Sequence, residues 1–597
     1  MTMGGSTHFS VFLLVAIILL CSSSKTVNAT CYASEKQALM DFKKDLKDPS
    51  GRLSSWIHDI DCCKWEGVVC SNRSGRVIQL HLQCPVGEID DFGNEEISPL
   101  SGKISHSLQN LTHLRYLDLS LNNFSGIPIP SFFGSLRSLR YLNLSGAGFQ
   151  GMVPYQLGNL SSLRTLSISA WQPPTLRVDN LQWLAGLSNL EHLDMSRVNL
   201  SLASNWQEVI NTIPSLVEIH FPSCQLDLIS HHLGRNTFTS LQHLDLSFNH
   251  LNGSLPDELI HLNNLISLNL GWNHFEGSLD GIWNWSSLTS LDLSYNNFTT
   301  FLPSQLSTLT ALISLDLATN HFRGSIPSSI ANISKLQHLD LYDNNLSSSL
   351  PIPSNLGKLS SLEHWDVSNN KLTGTLPESF WQLSKLEDLR IHNNSMEGIV
   401  SESHLDNLSV LWYFDASGNS LTLKVSASWT PRAQFEVLRL GSWKLGPQFP
   451  TWIRSQKILS DLNLSFTGIS DTIPPWIFNS SLGYIDFSHN QLHGKSSNIS
   501  ENLISNYLFS GGISHALYEV KNENQVLWYL DLGENSLSGE IPDCWMNYPH
   551  LERIDLNSNN FTGSIPRSLF LLEDLDYLGL GNNSLTGPIP FDFVKHE

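Results

Sequence analysis

Residues 312–335 read LISLDLATNHFRGSIPSSIANISK, and the same pattern begins again at the next residue. Apolar side chains fall at Leu312, Leu315 and Leu317, and an asparagine follows at Asn320. Neither the helical period of about 3.6 residues nor the strand period of about 2 spaces apolar residues in this way. A coil that turns once per repeat does, because it points the same positions inward each time. The stretch therefore predicts a solenoid of stacked coils.

Each position in this repeat has a physical role. Leu315 and Leu317 alternate with polar or small residues, so a short strand buries one of its faces. Asn320 can donate to and accept from the backbone of a neighbouring coil. Gly324 permits a bend, and Pro327 ends the short extended piece before it. The pattern is that of a leucine-rich repeat, so we predict an α/β solenoid, a superhelix with a parallel β-sheet on its concave face.

The repeat recurs along most of the chain. Successive repeats start 23 to 27 residues apart, except for 45 residues between Leu482 and Leu527, so residues 494–524 are predicted to hold a degenerate coil or a loop. With a first strand at residues 77–82, about 20 coils are expected over residues 76–597. The nineteen repeat starts are Leu114, Leu139, Leu163, Leu190, Leu216, Leu241, Leu265, Leu288, Leu312, Leu336, Leu362, Leu386, Leu411, Phe435, Leu459, Leu482, Leu527, Leu551 and Leu575.

Residues 30–75 do not repeat and are predicted to cap the first coil, whose apolar edge would otherwise be exposed. Ser34 and Gln37 have the spacing of a helix capping box. Four apolar residues then fall on one helical face, namely Leu39, Met40, Phe42 and Leu46. Further on, the pattern of residues 204–211 predicts a second short helix on the convex side.

Four cysteines can staple this cap, and the spacing alone leaves all three of their pairings open. A zinc site is disfavoured because the cap has no C-x-x-C pair and no matching histidine. The four are Cys31, Cys62, Cys63 and Cys70. Three more cysteines follow the cap, and Cys224 stands where its coil should have the turn asparagine.

The N-terminus indicates secretion. Residues 11–20 are all apolar, a run too short to span a bilayer but typical of a signal-peptide core, so residues 1–29 are predicted to be a signal peptide, with an uncleaved anchor as the alternative. Many Asn-x-Ser/Thr sequons agree with a secreted glycoprotein. The predicted glycosylation sites are Asn72, Asn110, Asn123, Asn143, Asn159, Asn199, Asn252, Asn284, Asn297, Asn332, Asn345, Asn393, Asn407, Asn463, Asn479, Asn498, Asn560 and Asn582.

Composition and motifs argue against several functions. The chain has 34 Lys and Arg against 55 Asp and Glu, a net charge of −21, so no nucleic-acid partner is expected. The G-x-G-x-x-G at residues 146–151 is assigned to the repeat, because Gly151 coincides with the repeat glycine. No catalytic residue, cofactor or metal is predicted. The central Asp of each L-D-L is predicted to form a solvated column, or alternatively an acidic stripe that prefers basic ligands.

Several stretches resemble a known family. Cys31, then WIHDIDCCKWEGVVC at residues 56–70 and GRVIQLHL at residues 75–82, resemble the N-terminal cap of plant leucine-rich-repeat receptors. The resemblance implies the pairings Cys31–Cys62 and Cys63–Cys70. Three further stretches resemble the receptor-like proteins of the plant disease-resistance and fungal-elicitor group. They are NLQWLAGLSNLEHLDMS at residues 180–196, LRLGSWKLGPQFPTWI at residues 438–453 and GEIPDCWMNYPHL at residues 539–551.

The resemblance implies a function without catalysis. We expect the ectodomain of an immune-type receptor-like protein on the extracellular face of the plasma membrane, binding an extracellular peptide or protein and signalling through a partner leucine-rich-repeat receptor kinase. Family members continue beyond the point that corresponds to residue 597, so the chain is interpreted as a C-terminally truncated receptor or a shortened form. The alternatives are a secreted decoy that resembles the polygalacturonase inhibitors, and an ectodomain fragment of a receptor kinase.

The repeat register predicts different tolerance on the two faces of each strand. Leu117, Leu244 and Leu315 point inward, so their replacement by Ala should cost about 2–5 kcal/mol of unfolding free energy. Replacement of outward residues should cost less than about 0.5 kcal/mol. Thermal melting of the two sets of variants checks this, and equal losses would mean that the faces are assigned wrongly. The outward set, our candidate ligand face, is Tyr116, Tyr141, Arg164, His192, His220 and His243.

Overall fold

The structure is a computed structural model, and it divides into two compact units, Met1–Leu251 and Asn252–Glu597. The predicted signal peptide, the sequon at Asn498 and nearly all of the irregular stretch 494–524 lie outside the described residues. The structure describes residues 30–85, 98–170, 176–227, 240–255, 259, 262, 264–347, 352–426, 428–494, 517 and 526–590.

The cap of the first unit is a helix, Ala33–Asp45, followed by a short 3-10 helix, Cys62–Lys64. The predicted capping box is wrong. The helix begins one residue before Ser34, and the residue in front of it, Tyr32, makes no side-chain cap. The buried face is Glu35, Ala38, Leu39 and Phe42, whereas Met40 and Leu46 are half-buried.

The buried face of the cap helix differs from the predicted face because it includes Glu35. Its carboxylate accepts the backbone N–H of Val77 at 2.8 Å and pairs with the guanidinium of Arg76 at 3.2 Å. A buried carboxylate needs such partners, and here they connect the cap helix to the strand that begins at Val77.

Two disulfides close the cap, Cys31–Cys62 and Cys63–Cys70, with Cα atoms 5.7 and 5.4 Å apart. These are the pairings that the family resemblance implied. Between them Trp56 and Trp65 stack with ring centroids 5.4 Å apart. The bridges and the aromatic pair together hold a segment that is too small to build a large apolar core of its own.

Within the described residues, the sheet of the first unit contains eight strands. The first two pair antiparallel, and each later strand pairs in parallel with its predecessor. The strands are Val68–Cys70, Val77–His81, Tyr116–Asp118, Tyr141–Asn143, Thr165–Ser167, His192–Asp194, Glu218–His220 and His243–Asp245.

Short elements return the chain between these strands. Two pairs of short strands lie beside the main sheet, Leu46–Lys47 with Ser101–Gly102 and Gly151–Met152 with Leu176–Arg177. The predicted second helix is present as Trp206–Ile210. The 3-10 helices are His106–Asn110, Ser131–Ser135, Tyr155–Asn159 and Gln182–Gly186.

The described part of the second unit has thirteen strands in its sheet, with parallel pairing from each to the next. In both units together, a strand begins two residues after each of the nineteen predicted repeat starts. The strands are Ser267–Asn269, Ser290–Asp292, Ser314–Asp316, His338–Asp340, His364–Asp366, Asp388–Arg390, Tyr413–Asp415, Val437–Arg439, Asp461–Asn463, Tyr484–Asp486, Tyr529–Asp531, Arg553–Asp555 and Tyr577–Gly579.

The long gap in the repeat is an insertion between neighbouring coils. Tyr484–Asp486 pairs directly with Tyr529–Asp531, residue against residue. These two strands are therefore direct neighbours in the ladder. The prediction of a degenerate coil or a loop at residues 494–524 falls almost entirely outside the described residues.

Outside its main sheet, the described part of the second unit has further short strands, the α-helix Glu402–Asn407 and a series of 3-10 helices. The short strands are Asn252–Ser254, His274–Glu276, Arg323–Gly324, Asn345–Leu346, Thr373–Gly374, Ser395–Ser401, Ser420–Lys424, Ser538–Glu540, Asn560–Gly563 and Ser584–Leu585. The 3-10 helices are Ile282–Asn284, Ser304–Thr308, Ser328–Asn332, Leu356–Lys358, Phe380–Gln382, Thr451–Ser455, Pro475–Asn479, Trp545–Asn547 and Arg567–Leu571.

Asn320 shows how one coil is joined to the next. Its side chain is 4% exposed, and its amide nitrogen donates to Leu293 O of the preceding coil at 2.9 Å, as well as to two carbonyls of its own turn. Its Oδ1 accepts the N–H of Phe298 from the preceding coil at 3.2 Å. The predicted role of the asparagine is confirmed, and Gly324 has the expected left-handed backbone, with φ of 77°.

Replacing Asn320 by Ala should lower the unfolding free energy by about 2–4 kcal/mol, because buried backbone groups of two coils lose their partners. Thermal melting measures the loss, and hydrogen exchange should accelerate at the Phe298 amide. The neighbouring exposed residue supplies the control, since His321→Ala should change stability by less than about 0.5 kcal/mol. Equal effects of the two substitutions would contradict the assigned role of Asn320.

Candidate ligand-binding face

The strands place two rows of side chains on one face of each unit's sheet. In Ser314–Asp316, as in most strands, the middle residue is buried and the outer two are half-buried. Because neighbouring strands pair in register, first residues align with first residues and third with third. Strands lie about 4.8 Å apart, so side chains within a row are in contact distance of one another. We call these the first-position row and the third-position row.

In the first unit, the six residues of the predicted ligand face do not form a single row. Tyr116, Tyr141, His192 and His243 lie in the first-position row, and all are half-buried. His220 lies in the third-position row, and Arg164 lies one residue before its strand, where it pairs with Glu191 at 2.6 Å. Tyr116 and Tyr141 stack with ring centroids 4.2 Å apart, and His192 Nδ1 lies 2.8 Å from the carboxylate of Glu218.

The sequence predicted that the aspartates of the third-position row form a solvated column. The structure does not bear this out. Asp366 is 5% exposed, and its Oδ1 accepts the N–H of Ser368 at 2.8 Å. Asp316 and Asp340 each accept the backbone N–H two residues later, at 3.0 and 2.8 Å. The turn that follows each strand folds over the carboxylate, so the aspartate caps the turn and loses much of its hydration.

Burial and crowding change the acidity of this row. Desolvation, with the charge of Asp340 as the second cause, raises the pKa of Asp316 to about 7. Desolvation and the charge of Asp366 raise the pKa of Asp340 to about 6. At neutral pH the Asp316 carboxyl is therefore only partly ionised, and this part of the row carries less negative charge than a count of its carboxylates indicates.

The sequence analysis missed a group of arginines and tyrosines on the strands of the second unit. Arg390 lies over the ring of Tyr413 at 4.1 Å, and Arg553 lies over that of Tyr577 at 3.8 Å. Arg439 pairs with the carboxylates of Asp461 and Asp415. The signal was available in the repeat register, because Arg390 and Arg439 stand where other coils have the aspartate of L-D-L.

Ion pairs surround Arg390, the first arginine of this group. The guanidinium of Arg390 makes two bonds to the Asp388 carboxylate, at 3.0 and 2.9 Å, and His364 Nδ1 lies 2.9 Å from the same group. Burial alone would raise the pKa of Asp388, but these hydrogen bonds outweigh it and the pKa is lowered. His338 stacks on His364 with ring centroids 4.2 Å apart, and burial followed by the charge of His364 lowers the pKa of His338 to about 4.

Exposed aromatic residues mark the turns beside the strand face. Trp272 and Tyr295 are 45% and 37% exposed, and their rings stack with centroids 3.7 Å apart. Phe466 stacks on His489 in the same way at 4.0 Å. All four residues have a left-handed backbone, which is unusual for bulky side chains. Their exposure adds apolar contact area next to the two rows.

The other motifs have structural roles. After the strand Tyr141–Asn143, the G-x-G-x-x-G segment leads into the short strand Gly151–Met152, not into the helix that a phosphate-binding turn requires. Cys224 is buried, and its thiol donates to Met195 O at 3.1 Å, in the position of the turn asparagine. Cys84 and Cys544 are also buried.

Comparison with known proteins places these features in a family. The family model described as leucine rich repeat N-terminal domain matches residues 33–71, and leucine-rich repeat models match 112–170, 240–262, 273–472, 526–548 and 550–572. Receptor-like protein EIX1 of Solanum lycopersicum is 36% identical, with 86% of this chain and 55% of the relative aligned. Receptor-like protein EIX2 of the same plant is 34% identical, with 92% of this chain and 64% of the relative aligned.

The chain belongs to the plant leucine-rich-repeat receptor-like proteins. It spans 55% and 64% of the lengths of these two relatives. Two solved structures are similar to this receptor-like protein. The ectodomain of the Arabidopsis thaliana receptor kinase GASSHO1/SCHENGEN3, in complex with CASPARIAN STRIP INTEGRITY FACTOR 2, is 28% identical over 93% of this chain and 74% of its own, with a TM-score of 0.67.

The second solved structure is the Arabidopsis receptor kinase HAESA in complex with the peptide hormone IDA and the co-receptor SERK1. It is 26% identical over 94% of this chain and 95% of its own, with a TM-score of 0.56. Both neighbours are thus leucine-rich-repeat receptor kinases that were solved with a bound partner.

Two observations bear on the cellular context of this receptor-like protein. No helix in the described part of the chain is both long enough and apolar enough to cross a membrane. Of the predicted glycosylation sites within the described residues, all are exposed or half-buried. Asn143 and Asn463 are distinct, because they lie in the third-position row and their side chains bond within the strand face. Glycosylation at all of the predicted positions, including these two, stays a prediction.

Asp316→Asn should stabilise the protein at high pH. Since the folded-state pKa is raised, the folded chain binds more protons than the unfolded chain between about pH 4 and about pH 7. This carboxyl's contribution to stability is therefore lost as the pH rises across that window to the folded-state pKa. Asn removes the charge and can still accept the Ala318 N–H. We expect a gain on the order of 2 kcal/mol at about pH 8, and little change at about pH 4. Thermal melting in metal-free buffer at both pH values tests this, and a gain that is independent of pH would contradict it.

Proposed function

We propose that this chain is the ligand-recognition ectodomain of a plant immune-type receptor-like protein. It binds an extracellular peptide or protein on its strand faces and signals through a partner leucine-rich-repeat receptor kinase. It reaches the extracellular face of the plasma membrane through the secretory pathway. The observation that carries the proposal is the pair of half-buried rows, in which chemically varied side chains stand on strands paired in fixed register.

The composition of these rows suits protein recognition. Aromatic residues and arginines dominate the binding energy of protein interfaces, and both are present here. The stacked pair Tyr116–Tyr141 represents the first unit, and the Arg553–Tyr577 pair represents the second. Because the side chains already pack on one another, little conformational freedom is lost when a ligand binds, which favours affinity.

Support for the partners comes from the solved relatives. HAESA was solved with a peptide hormone and the co-receptor SERK1, and GASSHO1/SCHENGEN3 with CASPARIAN STRIP INTEGRITY FACTOR 2. Of these two, HAESA shows a co-receptor in the complex. We propose a receptor kinase of the same repeat class as the signalling partner of this chain.

Binding to purified chain tests the ligand-recognition function. Immobilised protein is exposed to synthetic secreted peptides, including IDA and CASPARIAN STRIP INTEGRITY FACTOR 2, and to fractionated fungal culture proteins. For any ligand retained, a double variant of one unit's face should weaken binding at least about tenfold. The two variants are Tyr116→Ala with Tyr141→Ala, and Arg553→Ala with Tyr577→Ala.

The matched control lies away from the strand face. Lys335 and Lys358 are exposed near the ends of the 3-10 helices Ser328–Asn332 and Leu356–Lys358, and their double replacement by Ala should leave binding unchanged. Equal losses in the control and in both face variants would refute binding at the strand face. Co-purification of a receptor kinase from plant cells, dependent on the same ligand, tests the signalling partner separately.

A further inference from the structure

We propose that His338, Asp340 and His364 form a binding site for a divalent transition-metal ion of the Zn²⁺ class. His338 and His364 are direct neighbours in the first-position row, and Asp340 is the third residue of the strand that begins with His338. One ligand atom from each residue lies within 4.8 Å of the others. All three side chains are half-buried, so the cluster is open to solvent on one side.

The second imidazole already has the arrangement of a metal ligand. The Nδ1 of His364 lies 2.9 Å from the Asp388 carboxylate, which fixes the ring and leaves Nε2 for another partner. That Nε2 is buried and has no hydrogen-bond partner among the described residues. Metal-bound histidines commonly hold a carboxylate on their other nitrogen, and a buried nitrogen without a partner is costly. An ion would satisfy it.

The charges around the cluster favour a cation. Asp316 and Asp366 flank Asp340 in the third-position row, and Asp388 stands behind His364. The guanidinium of Arg390 is the opposing charge, and it is held in its double bond to Asp388. Ligation would therefore relieve the crowding of carboxylates that a bare site has to tolerate.

Ligand type and number narrow the class of ion. Two imidazoles and one carboxylate suit Zn²⁺ and its neighbours in the first transition row better than Ca²⁺ or Mg²⁺, which select oxygen. Tetrahedral bonds of about 2.1 Å separate ligand atoms by roughly 3.4 Å. The ligand atoms here lie within 4.8 Å of one another, so side-chain rotation has to bring them closer together. Three protein ligands leave one coordination position for water or for a donor group of a bound ligand.

The other metal-ligand group in the described part of the chain differs from this one. It consists of Cys31, Asp61, Cys62 and Cys63, and its three sulfurs are used in the two cap disulfides. The histidine cluster has no covalent use of this kind.

Two substitutions remove ligands without disturbing the repeat. Ser314 occupies the place of His338 one strand earlier, so His338→Ser is compatible with the fold. Asn269 occupies the third position of its own strand, where its Oδ1 accepts the Gly271 N–H at 2.9 Å, so Asp340→Asn can keep the equivalent bond to Tyr342. The control is His321→Ala, an exposed histidine outside the strand face.

Calorimetric titration of ZnCl₂ into the chelator-treated full chain, carrying no polyhistidine tag, tests the site at neutral pH. We expect one ion per chain, at least about tenfold weaker binding in each ligand variant, and a zinc-induced rise in melting temperature that both variants lose. His321→Ala should bind as the wild type does. Absence of binding to the wild type, or equal binding by wild type and both variants, would overturn the proposal.

A role of the ion in ligand recognition rests on the proposed function, whereas the metal site itself does not. If the ion contributes a donor position, a chelator should weaken binding of a retained ligand by the wild type and not by His338→Ser. Ligand binding that is unaffected by chelator would overturn this role and leave ligand recognition by the strand face standing.

Discussion

The fold depends on a hydrogen bond between coils, made by a buried asparagine in most turns. The amide of Asn320 donates to a carbonyl of the coil before it and accepts an N–H from that coil. Asn344 and Asn370 repeat the same donation to Leu317 and Leu341. A coil on its own would leave these backbone groups buried and unpaired, so each coil is stable only with its neighbour present.

Other residues take the place of this asparagine in several turns, and three of them still donate a hydrogen bond from their side chains. Cys224 donates from its thiol to Met195 O, Trp443 donates from its indole to Ala416 O, and Thr467 donates from its hydroxyl to Leu464 O. Each substitute keeps a donor for a carbonyl of the preceding coil or of its own turn. Ala147 and Val198 stand at the same position of their repeats without a side-chain donor. A donor is therefore common at this position but not required, and the repeat accepts side chains of very different volume there.

The leucine spacing alone predicted the positions of nineteen strands. Once the period of the repeat is known, only one register buries all of its leucines. The cap helix was placed less well, since Glu35 takes a partner 42 residues away and no local pattern reveals such a contact. The predicted ligand face is not a single row, because the prediction did not use the strand register to place His220 and Arg164. Alignment of the repeats would have found Arg390 and the adjacency of His338 and His364, but the buried state of Asp366 and the unpartnered His364 nitrogen depend on three-dimensional packing.

The direct pairing of Tyr484–Asp486 with Tyr529–Asp531 also has an evolutionary consequence. Asn535 donates to Phe487 O and accepts the Leu492 N–H, so the coil-to-coil bonds close across the insertion as if it were absent. Length and sequence can therefore change between these two coils while the strands on either side keep their register. Such a junction lets a receptor acquire or exchange a segment in one step, independently of the slow substitution of single residues along the rows.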